Sequence, residues 1–415
     1  MLKPIPATPL TFGSSTALQR LTDRAEAASR KIDFYQNGPR YQKPLWIEAP
    51  ATTREERTNI AECGVAIQEV RKGEIAGTAS RTDIFAMQDR SLPHIIKDPH
   101  DVFQLGKFPP ADEAYHDYDE TVAELKAIAA LRPDFVKMFS IGKTLEGRDI
   151  WGLQLNHGFD EKKPGAVFIG THHAREHLST EVPLLLARYL VENADKPEIK
   201  ELLANRDVTI IPMLNADGVE YDTRSGRNYE MWRKNRRKNA DGSSGVDLNR
   251  NYAVGWGGKG ASKSPSSETY HGPSAFSEPE TQAVKAFLES KPNVKVLLTY
   301  HTFSELILYP WGHQYDPVPN ETDRKVFETM AKKMASWNSY TPQQASDLYI
   351  ASGDTCDWAY KERGIFAFTF ELTPKSQMQG GFYPGPKVIR PTFERNLDPA
   401  LYMIGLADDP KRALS

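Results

Sequence analysis

The sequence predicts an α/β protein, a mixed central sheet flanked by helices, preceded by a small ferredoxin-like βαββαβ domain. Three observations carry this expectation. Short, almost continuously apolar runs recur over residues 115–415. Segments with apolar residues at helical spacing separate those runs. Residues 45–97 alternate strand-like and helix-like stretches in one short span.

Residues 1–44 form an N-terminal extension with one helical-looking segment, Ala17 to Phe34, and no chemistry that can be assigned. In 45–97, Trp46-Ile47-Glu48 reads as a strand and Thr53 to Cys63 as a helix. Val65 to Val70 and Glu74 to Thr78 are strands on either side of Lys72-Gly73; Thr82 to Asp89 is a helix and His94 to Ile96 a short strand. Residues 98–114 are a connector containing Lys107, because the tandem Pro109-Pro110 continues neither regular structure. Beyond it, Val122, Leu125, Ile128 and Ala129 share one helical face. Strands are predicted at Ala166 to Gly170, Val208 to Leu214, Val294 to Phe303 and Ile365 to Glu371, their apolarity marking burial on both faces. Val182, Leu185, Leu186, Tyr189 and Leu190, and later Val284, Phe287 and Leu288, follow helical spacing between them.

With 39% hydrophobic and 26% charged residues, the 415-residue chain has the composition of a soluble globular protein. It contains no apolar window of about 18 residues, so a spanning helix is not expected. Its net charge of −3 argues against gripping nucleic-acid phosphates. Cys63 and Cys356 supply neither a disulfide framework nor a cysteine-rich metal module. The first ten residues lack the apolar core of a secretory leader.

The chemistry concentrates in "GTHHAREHLS", residues 170–179, directly after an apolar run. Neutral imidazole and carboxylate are the ligands of a water-activating zinc, which needs three of them and an open position. His173 and Glu176 stand three apart, so one turn of backbone can aim both at one point. On spacing, His172 and His177 compete with His173. His301 ends a predicted strand, where open α/β sheets place their ligands. Glu371 ends another apolar strand. A carboxylate there is costly to desolvate unless paired or raised in pKa, which suits a general base, or it emerges into solvent. The basic run Arg233 to Lys238 reads as a solvated loop.

From about Tyr115 to the C-terminus the chain resembles the zinc metallocarboxypeptidases of the carboxypeptidase A type. The resemblance rests on separated motifs in order: "GKTLEGRDI", "GTHHARE", "NADGVEY", "WRKN", "GVDLNRN", "SETYHG", "SEPET", "YHTFSELILYP", "YIASGD" and "FTFEL". It implies a carboxypeptidase-like catalytic domain over 115–415 that binds one Zn2+ through His173, Glu176 and His301, which selects His173 over His172. It makes Glu371 the general base acting on the zinc-bound water, Arg233 the arginine that steadies the oxyanion, and Asp247 the carboxylate that orients a ligand histidine. Asn249 and Arg250 match the pair that grips the substrate's terminal carboxylate. Tyr349 matches the mobile tyrosine over the bound residue, and Arg175 the arginine of the next subsite inward. Lys234 to Lys238 are then expected in solvent, and Phe303 stands where digestive relatives carry tyrosine.

The same resemblance places Asp354 and Cys356 on the wall of the specificity pocket, with Gly312 leaving room beside them. Cys356 stands where basic-preferring relatives carry aspartate, so mixed apolar and basic specificity is expected. Residues 45–97 take the place of an inhibitory propeptide, with Lys107 near the activation cut; a permanent accessory domain is the alternative. The implied protein is a proenzyme exopeptidase acting on peptide or protein C-termini, activated by a protease. It is expected to be monomeric, without nucleic-acid or membrane partners, and extracellular or periplasmic, with the cytoplasm as the alternative. A peptidase for cell-wall or modified peptides and a noncatalytic peptide-binding relative are the competing readings; intact Asn249, Arg250 and Glu371 count against both.

Overall fold

The computed structural model describes residues 43–103, 114–223 and 229–415. The helical-looking segment at 17–34 and Lys107 lie outside the described residues. Two sheets organise the rest. The first contains β1 (Leu45–Pro50), β2 (Ala66–Arg71), β3 (Glu74–Ala79) and β4 (Ile95–Lys97) in the order β2-β3-β1-β4. Every neighbouring pair is antiparallel, the arrangement that two interleaved βαβ units produce. The connecting helices, Arg54–Ala61 and Arg81–Asp89, both begin in a capping box, Thr53 with Glu56 and Ser80 with Asp83. Ile47, Ile60, Ile67, Ile75, Ile84 and Met87 pack between helices and sheet.

The second sheet is mixed, in the order β11-β10-β12-β9-β7-β8-β6-β5. Its strands are β5 (Val136–Lys143), β6 (Asp149–Leu155), β7 (Gly165–Gly170), β8 (Asp207–Ile211), β9 (Val294–Thr302), β10 (Leu306–Tyr309), β11 (Thr341–Gln344) and β12 (Phe366–Leu372). The central strands β8, β7, β9 and β12 run parallel, as their apolar runs predict. Alternate residues face two cores. Phe168, Leu298 and Phe368 pack under the helices Leu178–Glu192, Glu321–Asn338 and Ile389–Gly405, while Val167, Leu297 and Ala367 meet Pro279–Ser290 and Thr355–Arg363. The predicted strand at 208–214 stops at Ile211, because Pro212 offers no N–H to the ladder.

Parallel pairing sets the site. Glu371 of β12 lies opposite His301 of β9, and Gly170 of β7 opposite Tyr300. The C-terminal ends of three adjacent strands therefore open onto one point, where α/β sheets bind ligands. The small sheet lies against this end of the large one. Trp46 and Ala76 from the small sheet, Phe103 from the short helix Pro99–Phe103, and Met231, Phe303 and Phe382 from loops around the large sheet form one buried apolar cluster. None of the described helices is long and apolar enough to cross a membrane.

Candidate metal centre and substrate cavity

The turn after β7 is held tightly before it delivers any ligand. Thr171 takes a positive φ of 57°. Its N–H donates to Ser179 Oγ at 3.1 Å, and its hydroxyl pairs with Thr180 Oγ1 at 2.6 Å. The turn projects His173 and Glu176 toward His301. One nitrogen from each histidine and a carboxylate oxygen lie within 4.8 Å of one another, the one such grouping among the described residues. His173 Nδ1 is 2.8 Å from Glu176 Oε1, His301 Nδ1 is 3.0 Å from Glu176 Oε2, and the two Nδ1 atoms are 3.1 Å apart.

The outer contacts fix which atoms face inward. His173 Nε2 donates to Asp247 Oδ1 at 3.0 Å, so its Nδ1 presents a lone pair to the centre. Asp247 Oδ2 accepts from Arg233 Nε and Nη2 at 3.1 and 2.8 Å. The Thr302 N–H donates to Glu176 Oε2 at 3.2 Å. Two imidazole nitrogens with one carboxylate are a donor set that suits zinc, and all three residues are buried. Lone pairs so close repel unless a positive charge sits among them, so the arrangement fits a cation.

Electrostatics separates the carboxylates. Burial pushes Glu176 up, but His173 and His301 outweigh it and hold the carboxyl well below its ordinary range. Asp247 is likewise held down by Arg233 and His173 against burial. Glu371 goes the other way. Burial, then the charge of Glu176, raise it well above the usual range despite Arg233 and Arg250. A carboxyl whose proton affinity is raised suits accepting and passing on a proton.

A cavity of about 540 Å³ joins these groups to Arg233, Asn249, Arg250, Tyr349, Asp354 and Cys356. Arg250 is anchored by its Nε to Gly260 O at 2.9 Å and its Nη1 to Asn249 O at 2.8 Å. Asp354 caps the helix Thr355–Arg363, its Oδ1 accepting from the N–H groups of Cys356 and Asp357 at 2.8 and 3.0 Å. Its Oδ2 is buried without a hydrogen-bond partner among the described residues. A Cβ on Gly312 would sit 2.9 Å from that oxygen, so glycine keeps the space beside it. Cys356 Sγ lies 3.3 Å from Thr369 Oγ1.

The small domain closes one side of this cavity. Arg57, Ile67, Gln68, Glu69 and Val70 line it. Tyr349 donates to Ile67 O at 3.1 Å, Ser304 Oγ to Gln68 O at 3.4 Å, and Arg57 to Asp347 O at 2.9 Å.

Arg175 stays apart from the cavity. It is fully buried, donating to Glu268 Oε2 at 2.9 Å, Met231 O at 3.1 Å and Thr78 Oγ1 of the small domain at 2.8 Å, over the ring of Phe382. The solvated loop expected over Lys234 to Lys238 is corrected for most of its length: Lys234 and Asn235 are buried, and Arg236 and Arg237 half-buried. Lys234 is buried, its ammonium donating to Pro265 O and Ser267 O at 2.9 and 2.8 Å, and burial pushes it down to about 8. Arg237 pairs with Glu278 at 2.7 Å, and Lys238 is exposed as expected. Phe303 meets Phe382 edge-on at 5.0 Å, an apolar contact that needs no hydroxyl. Sequence reasoning missed the buried network around His172, for which spacing carries no signal.

Comparisons with known proteins identify the family. Residues 121–399 match the Peptidase_M14 family model, zinc carboxypeptidase. The chain belongs to the zinc carboxypeptidase family. It is 35% identical over 375 residues to a zinc carboxypeptidase of Saccharothrix mutabilis subsp. capreolus, covering 84% of this chain and 86% of that one. It is 35% identical to carboxypeptidase B of Bos taurus over 298 residues, 69% of each chain. The crystal structure of carboxypeptidase A from Helicoverpa armigera shares the fold, with a TM-score of 0.74 over 89% of this chain and 98% of that one at 23% identity. The shared fold thus extends beyond the residues that match the family model, and the protein is a metallocarboxypeptidase.

Proposed function

We propose that this chain is a proenzyme whose catalytic domain, once uncovered, removes single C-terminal residues with Glu371 as general base and accepts both apolar and basic ends. The observation that carries the reading is the cavity itself. It joins Glu371, in register with His301, to Asn249 and Arg250.

A zinc held by His173, Glu176 and His301 would supply Lewis acidity, lowering the pKa of water and polarising a carbonyl. Glu371 takes the proton of the attacking water and delivers it to the departing amine as the peptide C–N bond breaks. Arg233, fixed by Asp247, donates to the carbonyl oxygen as negative charge develops there. Asn249 and Arg250 bind the terminal carboxylate, which restricts cleavage to the last residue. The unpartnered Oδ2 of Asp354 receives a basic side chain, while Cys356 and Thr369 accommodate an apolar one. The strand Ala66–Arg71 lies where substrate would extend, and Thr78 of the same sheet bonds the buried Arg175. A cut in the connector would release this cover.

The test is hydrolysis of peptides ending in Phe, Leu, Lys, Arg or Glu, followed by mass spectrometry before and after limited trypsin treatment, with a chelator control. Stepwise loss of single residues that appears after the cut and vanishes with chelator is the expected result. No release from any peptide by the cleaved, zinc-loaded domain would refute the reading.

A further inference from the structure

We propose that His172, the neighbour of the metal ligand His173, is a positioning residue that orients Asn249 through Thr355. This rests on the reading of Asn249 as a carboxylate-binding group.

An asparagine can present either its oxygen or its nitrogen to a cavity, and only the nitrogen binds a carboxylate. Here the choice is made from behind. Asn249 Oδ1 accepts from the Thr355 backbone N–H at 3.0 Å and from Thr355 Oγ1 at 2.9 Å. A backbone N–H can only donate, so the atom it meets is the oxygen and the amide NH2 turns to the substrate side.

With its proton committed to Asn249, the Thr355 hydroxyl must accept. His172 Nε2 stands 2.9 Å from it and 3.0 Å from Tyr252 Oη. On the other side of the ring, His172 Nδ1 lies 3.0 Å from Thr299 Oγ1 of β9. The consistent assignment has Thr299 donating to Nδ1 and the Nε2–H donating toward Thr355. His172 is fully buried, and its ring stacks on His301 with centroids 5.4 Å apart. No solvent can replace a lost partner there, so breaking the chain leaves buried polar groups unsatisfied. Imidazole is suited to the place because it carries a donor and an acceptor on opposite edges of one rigid ring.

The test uses the zinc-loaded, cleaved enzyme and the blocked dipeptide benzoyl-Gly-Leu. His172→Phe and Thr355→Val should each raise KM about tenfold with kcat within about threefold and zinc content unchanged, the pattern of lost uniform binding. Thr355→Ser should restore the wild-type KM. In an Asn249→Ala background, His172→Phe should add no further loss. An unchanged KM, or losses that multiply in that background, would overturn the proposal. Should His172→Phe fold poorly, the Thr355→Val and Thr355→Ser pair decides it. The 15N spectrum of the His172 ring needs no turnover. A proton on Nε2 supports the chain and a proton on Nδ1 overturns it, whereas a wild-type enzyme that cleaves no free-acid peptide refutes only the proposed function.

Discussion

The floor of the cavity and the domain across its mouth are held in different ways. On the floor, His173, Glu176 and His301 converge on one point and are held from outside by Asp247, Arg233 and Thr302. All of these lie within the residues that match the family model. The cover is tied by the carbonyls of Ile67 and Gln68, by an apolar cluster around Trp46, Phe103 and Phe382, and by side-chain bonds such as Arg175 to Thr78 and the Glu268 N–H to Asp83. None of these contacts involves His173, Glu176 or His301. The contrast implies that removing the cover opens the site and leaves its donor set intact.

The largest expected effect breaks the floor's chemistry without touching the cover. Glu371→Gln should lower kcat by about a thousandfold, within the usual range for a lost general base, while zinc content and docking stay unchanged. Activity near the wild-type rate would remove Glu371 from its role.

The next separates cover from floor. Trp46 is fully buried and meets Phe103 edge-on at 5.1 Å. Trp46→Ala should cost about 3 kcal/mol of cohesion. The uncleaved chain should then show peptide hydrolysis that its parent lacks, at unchanged zinc content. A smaller effect lies within the floor. Asp354→Asn should cut kcat/KM for Lys- or Arg-ended peptides about tenfold relative to Leu-ended ones, and an unchanged ratio would assign basic recognition elsewhere.

The smallest concerns the seam between the two. Asp83 is pushed up to about 7 by burial, against hydrogen bonds from Ser267 and Ser80. Its Oδ2 accepts from the Glu268 N–H at 3.3 Å across the seam. A folded pKa above the ordinary 3.8 means the docked state holds the proton, so this stabilisation is full below about pH 4 and is lost as pH rises through about 7. Tm of the uncleaved chain should fall between pH 6 and 8 by the equivalent of about 1–2 kcal/mol, and Asp83→Asn should flatten that slope.

How much of this was legible depends on burial. The runs at β7, β9 and β12 are largely apolar because both faces are mostly covered, and they stood out in the sequence. β5 alternates exposed and half-buried residues at the sheet edge, and β11 carries Pro342 with three polar neighbours, so neither reads as a strand. The helix Glu321–Asn338 hides its apolar face among lysines and glutamates. In the site, strand ends pointed to His301 and Glu371. Adjacent His172 and His173 could not be separated by spacing, because their roles depend on what lies on either side of the turn. Asp247 and Arg233 face one; Thr299 and Thr355 face the other. The burial of Lys234 depends on the carbonyls of Pro265 and Ser267, brought to it only by the tertiary fold.

The most direct measurement of the central claim is zinc per chain and kcat/KM on one cleavable peptide, taken on the same preparation before and after release of residues 45–97. The account predicts one zinc per chain at both stages and a rise in kcat/KM of at least about a hundredfold on release, with the metal retained. Zinc lost with the released domain, or equal activity before and after, would contradict it.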